Sequence, residues 1–160
     1  MRNLALILCL SLLAGIISCG GDSEDCPSPT FKSQTLQGKI SGADWIFETG
    51  SAEESFFDSE KISIELTDQS FASPCDEFSF GGNVILFSVD NAVGVYTVCF
   101  NLDATENQTF TLYDGSTNNI ITNGGIEITS ISASSVSGKL TGSIDDQNFV
   151  DGTFTVPFCQ

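Results

Sequence analysis

Apolar and polar residues alternate with a period of two through most of this chain, and that period limits what it can fold into. The pattern is plainest at residues 62–66 and 154–158, where every second residue is Ile, Leu, Val or Phe. Successive side chains of a β-strand point to opposite faces, so the period predicts strands with one buried face. Further segments of this kind are residues 36–40, 45–47, 93–100, 109–113, 126–128 and 137–144.

Two segments depart from this alternation. Residues 84–89 are almost continuously apolar, which predicts a central strand buried on both faces. Residues 52–58 predict a helical turn, with Ser51 as its cap and two acids, Glu53 and Glu54, in the first turn.

Turn-forming residues separate the predicted strands. Clusters of Gly, Asn, Asp and Ser occur at residues 41–44, 81–83, 114–115, 123–125 and 145–148. The last cluster joins residues 137–144 to 149–157 as a long hairpin. Eight to ten short strands at regular spacing predict an all-β fold, an antiparallel β-sandwich or a flattened barrel.

Residues 1–18 have the organisation of a signal peptide. Arg2 precedes an apolar stretch at residues 4–17, which is shorter than the roughly 20 residues that span a bilayer as a helix. The small residues Gly15 and Ser18 precede Cys19. This ending resembles the lipobox of bacterial lipoproteins, with a permanent anchor helix as the alternative interpretation.

The lipobox resemblance implies that the mature chain begins at Cys19. Its thiol would carry a diacylglycerol and its amine an acyl chain such as palmitate. Two or three chains make attachment effectively permanent, since each buried methylene contributes about 0.8 kcal/mol. Gly20 rather than Asp follows the cysteine, so we expect a cell-envelope protein anchored in the outer membrane, on its periplasmic or exposed face. Residues 19–30, rich in Gly, Ser, Pro and acids, predict a flexible tether, and residues 31–160 a single domain.

The remaining cysteines predict two disulfides. Cys9 leaves with the signal peptide and Cys19 is lipidated, so an even four remain: Cys26, Cys75, Cys99 and Cys159. A metal site is the alternative, but the four contain no C-x-x-C pair. Four cysteines allow three connectivities. Our preference is Cys75 with Cys99 and Cys26 with Cys159.

The net charge of the chain excludes nucleic acid as a partner. After residue 18 the chain has four lysines against 21 acidic residues, a formal charge of −17. Such a surface repels nucleic-acid phosphates and anionic lipid headgroups.

The chain has no His, so Ser-His-Asp and Cys-His catalysis and His-ligated metals are absent.

Three segments carry a resemblance to a known group of proteins. Residues 38–45 read G-K-x-x-G-x-x-W, residues 94–96 read G-x-Y, and residues 152–159 read G-x-F-x-x-x-x-C. The chain resembles the small, uncharacterised β-rich lipoproteins of Bacteroidota. The resemblance implies an antiparallel sandwich and carries no catalytic residues with it.

Three sets of residues are candidates for chemistry. Asp145, Asp146, Asn148 and Asp151 place four oxygen-bearing side chains within seven residues, the ligand type of calcium, although the same sequence also suits a hairpin turn. Trp45, the single Trp, is a candidate sugar-stacking platform or a core residue. Acid pairs for a glycosidase are Glu53 with Glu54, Asp76 with Glu77, and Asp145 with Asp146, all predicted in solvated turns.

We therefore expect a lipid-anchored β domain that is not an enzyme and has a binding or structural role. Its expected partners are the membrane, through the lipid, and an envelope protein or glycan; apart from the lipid and a possible calcium ion, no cofactor is expected. The alternatives are a calcium-dependent or glycan-binding adhesion module and a carboxylate-based extracytoplasmic hydrolase, which requires two acids converging in a concave pocket.

Overall fold

The computed structural model describes residues 26–76, 82–100 and 108–159. This part of the chain is all-β and contains no helix, as the alternation predicted. Its eleven strands, more than the eight to ten expected, are β1 (Gln37–Ile40), β2 (Ala43–Ile46), β3 (Thr49–Glu54), β4 (Lys61–Thr67), β5 (Val84–Asp90), β6 (Gly94–Cys99), β7 (Phe110–Tyr113), β8 (Asn118–Ile121), β9 (Asn123–Ile131), β10 (Ser135–Ser143) and β11 (Phe149–Cys159). The predicted signal peptide and the lipid site Cys19 lie outside the described residues.

The strands form one sheet that curls into a nearly closed barrel. Their order is β6-β9-β10-β11-β3-β4-β5-β7-β8, with β1 paired to β11 and β2 paired to β1. The sheet is mixed rather than purely antiparallel because β11 runs parallel to β3, with Phe158 opposite Ala52 and Cys159 opposite Glu53. The predicted hairpin of residues 137–144 and 149–157 is confirmed by nine residue pairs between β10 and β11.

Strand direction distinguishes two ends of the barrel. Strands β3, β5, β9 and β11 run toward one end, named the upper end here, and their connections there are residues 55–60, 91–93 and 132–134. The lower end carries the turns at residues 41–42, 114–117 and 144–148.

The core is built by the inward half of each alternating strand. In β4, Ile62, Ile64 and Leu66 are buried while Ser63 and Glu65 face outward. Trp45 is 1% exposed, and its indole Nε1 donates a hydrogen bond to the backbone oxygen of Asn83 at 2.9 Å. Burial of such side chains removes apolar surface from water, the main stabilising contribution to the fold.

The predicted helical turn at residues 52–58 is wrong. Its first residues belong to β3, which pairs with β4 along its full length. The inward positions of β3 are Gly50 and Ala52, which carry no hydropathic signal. A Cβ atom at residue 50 would lie 2.1 Å from the backbone oxygen of Glu65, so this close strand approach requires glycine.

Burial of residues 84–89 on both faces is also wrong. Strand β5 is where it was predicted, but after Ile85 its residues alternate between buried and exposed. Leu86 is 38% exposed and Ser88 faces the same side. The barrel has one interior and solvent outside, so an apolar residue in the outward register is exposed.

The turn predicted at residues 123–125 is wrong as well. These residues are the start of β9, where a Cβ on Gly124 would lie 2.1 Å from the backbone oxygen of Thr141. Of the turn predicted at residues 41–44, residues 41–42 form the turn and residues 43–44 begin β2. Ser41 has φ 49° and Gly42 φ 81°, the left-handed pair of a tight hairpin turn between β1 and β2.

Two disulfides form, as predicted, but the preferred pairing is wrong. Cys26 bonds to Cys99 and Cys75 bonds to Cys159. Cys99 ends β6 at the lower end, beside the entering N-terminal segment, in which Pro29 covers Gly125. Cys159 ends β11 at the upper end, beyond the reach of Cys26. Residues 26–30, predicted as tether, are therefore part of the folded structure.

No helix in the described ranges is long and apolar enough to span a bilayer.

Candidate functional site

A cleft of about 680 Å³ lies on the outer face of strands β3, β4, β5 and β7, and is named the outer cleft here. Its floor consists of the outward residues of these strands, because the inward ones fill the core. The floor residues are Ser51, Glu53, Lys61, Ser63, Glu65, Leu86, Ser88, Asp90 and Thr111, together with Thr109, which directly precedes β7.

Strand register sets the pattern of the floor. Ser63 lies opposite Glu53 on one neighbouring strand and opposite Ser88 on the other. The hydroxyls of Ser63 and Ser88 are 3.0 Å apart and hydrogen-bonded. One rung away, Glu65 lies opposite both Ser51 and Leu86. The centre of the floor is thus a polar patch with one exposed apolar side chain.

One wall of the outer cleft is the connection that leaves β4. It starts at Asp68 at the lower end, yet Cys75 is bonded to Cys159 at the upper end, with the two Cα atoms 5.5 Å apart. The connection therefore crosses the outer face, and we call residues 68–76 the strap. Pro74 and Cys75 line the cleft. Burial raises the pKa of the Asp68 carboxyl at the start of the strap.

Tyr96 and Gln108 form the opposite wall. The Tyr96 hydroxyl donates a hydrogen bond to the backbone oxygen of Ala92 at 2.8 Å, which holds the ring in place. Burial, together with the nearby Asp90 carboxylate, raises the pKa of Tyr96. The Gln108 side-chain amide donates to the backbone oxygen of Ser88 at 2.9 Å and is fixed in the same way.

The charge of the outer cleft is negative. Glu53, Glu65 and Asp90 contribute carboxylates and Lys61 the one cation among its described lining residues. Glu53 and Glu65 are diagonal neighbours on adjacent strands, a relationship that places Cα atoms about 7–8 Å apart. Like-charged carboxylates in a confined space oppose the entry of anions.

The calcium candidates are not brought together. Asp145 accepts hydrogen bonds from the Gln147 backbone at 2.9 Å and the Asn148 amide at 3.1 Å, as part of the hairpin turn. The Asn148 oxygen accepts from the Ser41 backbone at 2.9 Å.

The two remaining candidates are Asp146, in the same turn, and Asp151. Asp151 lies on β11, where it accepts from the Lys32 backbone at 2.9 Å, and Asp146 is exposed. Across the described ranges, no group of three or more His, Cys, Asp or Glu is placed to hold a metal ion.

Trp45 is a core residue and not an exposed platform, so the sugar-stacking hypothesis at this position is wrong. Among the described acids of the predicted pairs, only Glu53 lines the outer cleft, and its partners there are Glu65 and Asp90 rather than Glu54. Glu77 lies outside the described residues.

Asp114 is the centre of a hydrogen-bond network at the lower end. Its carboxylate accepts from the Ser41 hydroxyl, from the backbone N–H groups of Thr117 and Ser116, and from the Ser116 hydroxyl. These bonds hold the pKa of Asp114 well below its usual range, with that from Ser41 contributing most. The network joins the β1–β2 turn to the β7–β8 turn and is structural.

Phe56 and Phe57 are the most exposed apolar side chains described, at 95% and 94%. They lie in the β3–β4 connection at the upper end, in edge-to-face contact with centroids 5.3 Å apart. The connection is ordered by backbone hydrogen bonds, including Ser55 to Lys61 at 2.9 Å.

The sequence did not predict the outer cleft, because its floor residues come from four strands. In the sequence, each of them resembles any solvent-facing residue of a strand. The sequence signal for this surface lies in β4 and β5, whose outward residues are mostly polar and include Ser63, Glu65 and Ser88. Only the register places them side by side.

No protein-family model, curated protein or solved structure matches this chain.

Proposed function

We propose that this protein is a lipid-anchored domain of the cell envelope that binds a ligand without transforming it, and that the outer cleft is the binding site. The observation that carries the proposal is the cleft itself. Its volume of about 680 Å³ falls within the range of roughly 300–1,000 Å³ that is typical of ligand pockets. Its floor is contributed by paired strands, a rigid support that keeps binding groups in position.

The position of Cys26 supports the anchored arrangement. Its bond to Cys99 attaches the N-terminal segment to the lower end of the barrel. Cys26 is seven residues after Cys19, and seven extended residues reach about 25 Å at most. A lipid on Cys19 would keep the lower end near the membrane and direct the upper end, with Phe56 and Phe57, away from it.

The anchor is tested with Cys19→Ala. We expect the lipidated protein to carry radiolabelled palmitate and to enter the detergent phase, and the variant to do neither. Continued labelling and detergent partitioning of the variant would contradict the anchor.

The binding site is tested by filling the outer cleft. Ser63→Tyr places a bulky ring on the floor without touching the core, and Ser137→Tyr is the matched control. Ser137 is an outward residue of β10 whose hydroxyl pairs with Thr155 at 2.9 Å, as Ser63 pairs with Ser88. In a detergent that keeps the lipid anchor in solution, we expect the purified lipoprotein to be retained on detergent-insoluble envelope fractions, and Ser63→Tyr alone to abolish this retention. Equal retention of both variants would refute the cleft.

A carboxylate-based hydrolase is the second candidate, because Glu53, Glu65 and Asp90 line the same cleft. It predicts release of reducing ends from envelope polysaccharide, and loss of this release in Glu53→Gln or Glu65→Gln. The binding proposal predicts no release by the unaltered protein.

A further inference from the structure

We infer that the outer cleft takes a neutral, polyhydroxylated ligand, the chemistry of an uncharged oligosaccharide. The inference rests on the proposed binding role and names the ligand class for that site. Four features of the described residues support it: hydroxyl groups on the floor, an excess of carboxylates, a fixed aromatic wall and an apolar spot between them.

Five hydroxyl groups lie on the floor of the outer cleft. Ser51, Ser63, Ser88, Thr109 and Thr111 all line the outer cleft. A hydroxyl both donates and accepts a hydrogen bond, so a surface of hydroxyls matches a ligand whose own groups do both. Ser63 and Ser88 are already bonded to each other at 3.0 Å and have capacity left for further acceptors and donors.

The carboxylates define the charge of the ligand. When ionised, Glu53, Glu65 and Asp90 accept hydrogen bonds and do not donate them. Their hydrogen bonds with hydroxyl donors are short and strong. The same charges oppose phosphate, sulfate and uronate groups. The carboxylates attract a cation and Lys61 in the floor opposes one, but a cation would leave the five floor hydroxyls unmatched, so a neutral ligand fits the cleft better.

Tyr96 and Leu86 provide the apolar contacts. The Tyr96 hydroxyl is bonded to the Ala92 backbone, so the ring is a fixed wall and its polar end is already satisfied. Leu86, 38% exposed, lies in the floor opposite Thr111. Sugar rings combine a hydroxyl periphery with C–H faces, and the cleft offers a counterpart to each.

The test is binding of the full-length lipoprotein to three immobilised probes: neutral oligosaccharides, uronate- or sialate-bearing oligosaccharides, and a lysine-rich peptide. The detergent is a polyoxyethylene ether, because a sugar headgroup would compete. We expect binding to neutral oligosaccharides only. Ser63→Ala combined with Ser88→Ala should weaken it about 10-fold, as expected for loss of two hydrogen bonds.

The variants at residue 96 separate stacking from folding. Tyr96→Leu should weaken binding by roughly 10-fold, whereas Tyr96→Phe keeps the ring and should bind within about 3-fold of the unaltered protein. Ser137→Ala combined with Thr155→Val, on β10 and β11 and outside the lining of the cleft, is the control and should leave binding unchanged. The melting midpoint of each variant shows that it is folded.

Binding to acidic oligosaccharides or to the peptide alone, or neutral binding that the cleft variants leave intact, would overturn the inference. Absence of binding to any neutral oligosaccharide would also count against it. If Ser63→Tyr still abolishes envelope retention in that case, the proposed binding role stands and only the ligand class is wrong. If Ser63→Tyr leaves envelope retention unaffected as well, the proposed binding role and the ligand class are both wrong.

Discussion

Cys75 and Cys159, 84 positions apart, are joined by a disulfide that fastens the strap across the outer face of the barrel. The strap leaves β4 at the lower end, whereas Cys159 lies opposite Glu53 at the upper end of β3. The bond thus builds one wall of the outer cleft as well as closing a loop of the chain. Cys26 and Cys99 instead fasten the N-terminal segment at the lower end.

The two disulfides should separate stability from binding. Cys75→Ala with Cys159→Ala should lower the free energy of unfolding by about 2–5 kcal/mol, since a long loop is released in the unfolded chain. It should also free the strap and abolish retention on envelope fractions. Cys26→Ala with Cys99→Ala should cost a similar amount in urea unfolding but leave retention intact. Loss of retention in both variants would contradict this division.

The fluorescence of Trp45 should change when the protein unfolds and should not change when ligand binds. Trp45→Phe removes the donor to the Asn83 backbone oxygen and leaves a void, which should cost about 2–4 kcal/mol in urea unfolding. As the single Trp of the chain, Trp45 should emit at short wavelength when folded and shift on unfolding. Saturating oligosaccharide should leave the spectrum unchanged. A ligand-dependent shift would place Trp45 near the site.

The lowered pKa of the Asp114 carboxyl should make the stability of the folded protein depend on pH. Its pKa is lowered in the folded state, so its stabilising contribution is complete above the unfolded pKa of about 3.9 and is lost as pH falls below it. Asp114→Asn should therefore lower the melting midpoint at pH 7, and the difference should shrink below pH of about 3.9. Asp146→Asn, at an exposed acid of a neighbouring turn, is the control. A constant difference across pH would contradict the carboxylate's role.

Gly124 and Gly115 provide a matched pair of substitutions. Both have positive φ, 152° and 89°, but only at residue 124 would a Cβ meet backbone, 2.1 Å from the Thr141 oxygen. Gly124→Ala should cost about 3 kcal/mol or more, and Gly115→Ala about 1–2 kcal/mol from backbone strain alone. Equal losses in thermal unfolding would show that the strand approach at residue 124 is not tight.

Alternation predicted most strands because side-chain direction has a strict period of two in β structure. It failed where the inward residues are small, as with Gly50 and Ala52 in β3, since such residues carry too little hydrophobic signal. It also failed in β5, where outward Leu86 made the strand look buried on both faces. The Gly pair at residues 124–125 resembled a turn, although glycine is used there for close strand packing.

The site was harder to predict than the fold because it depends on register. Ser63 and Ser88 are 25 positions apart, and their contact requires the pairing of β4 with β5. The strap depends on which cysteines pair, and sequence leaves that open among three connectivities. Trp45, the aromatic residue that composition singled out, belongs to the core, and Tyr96 forms the cleft wall instead.

Hydrogen exchange of the full-length lipoprotein, with and without saturating neutral oligosaccharide, tests most directly whether the outer cleft is the binding site. We expect slower exchange in β3, β4, β5 and the strap, and unchanged exchange at the lower-end turns around Ser41 and Asp145. Protection confined to those turns, or to the connection that carries Phe56 and Phe57, would contradict this expectation.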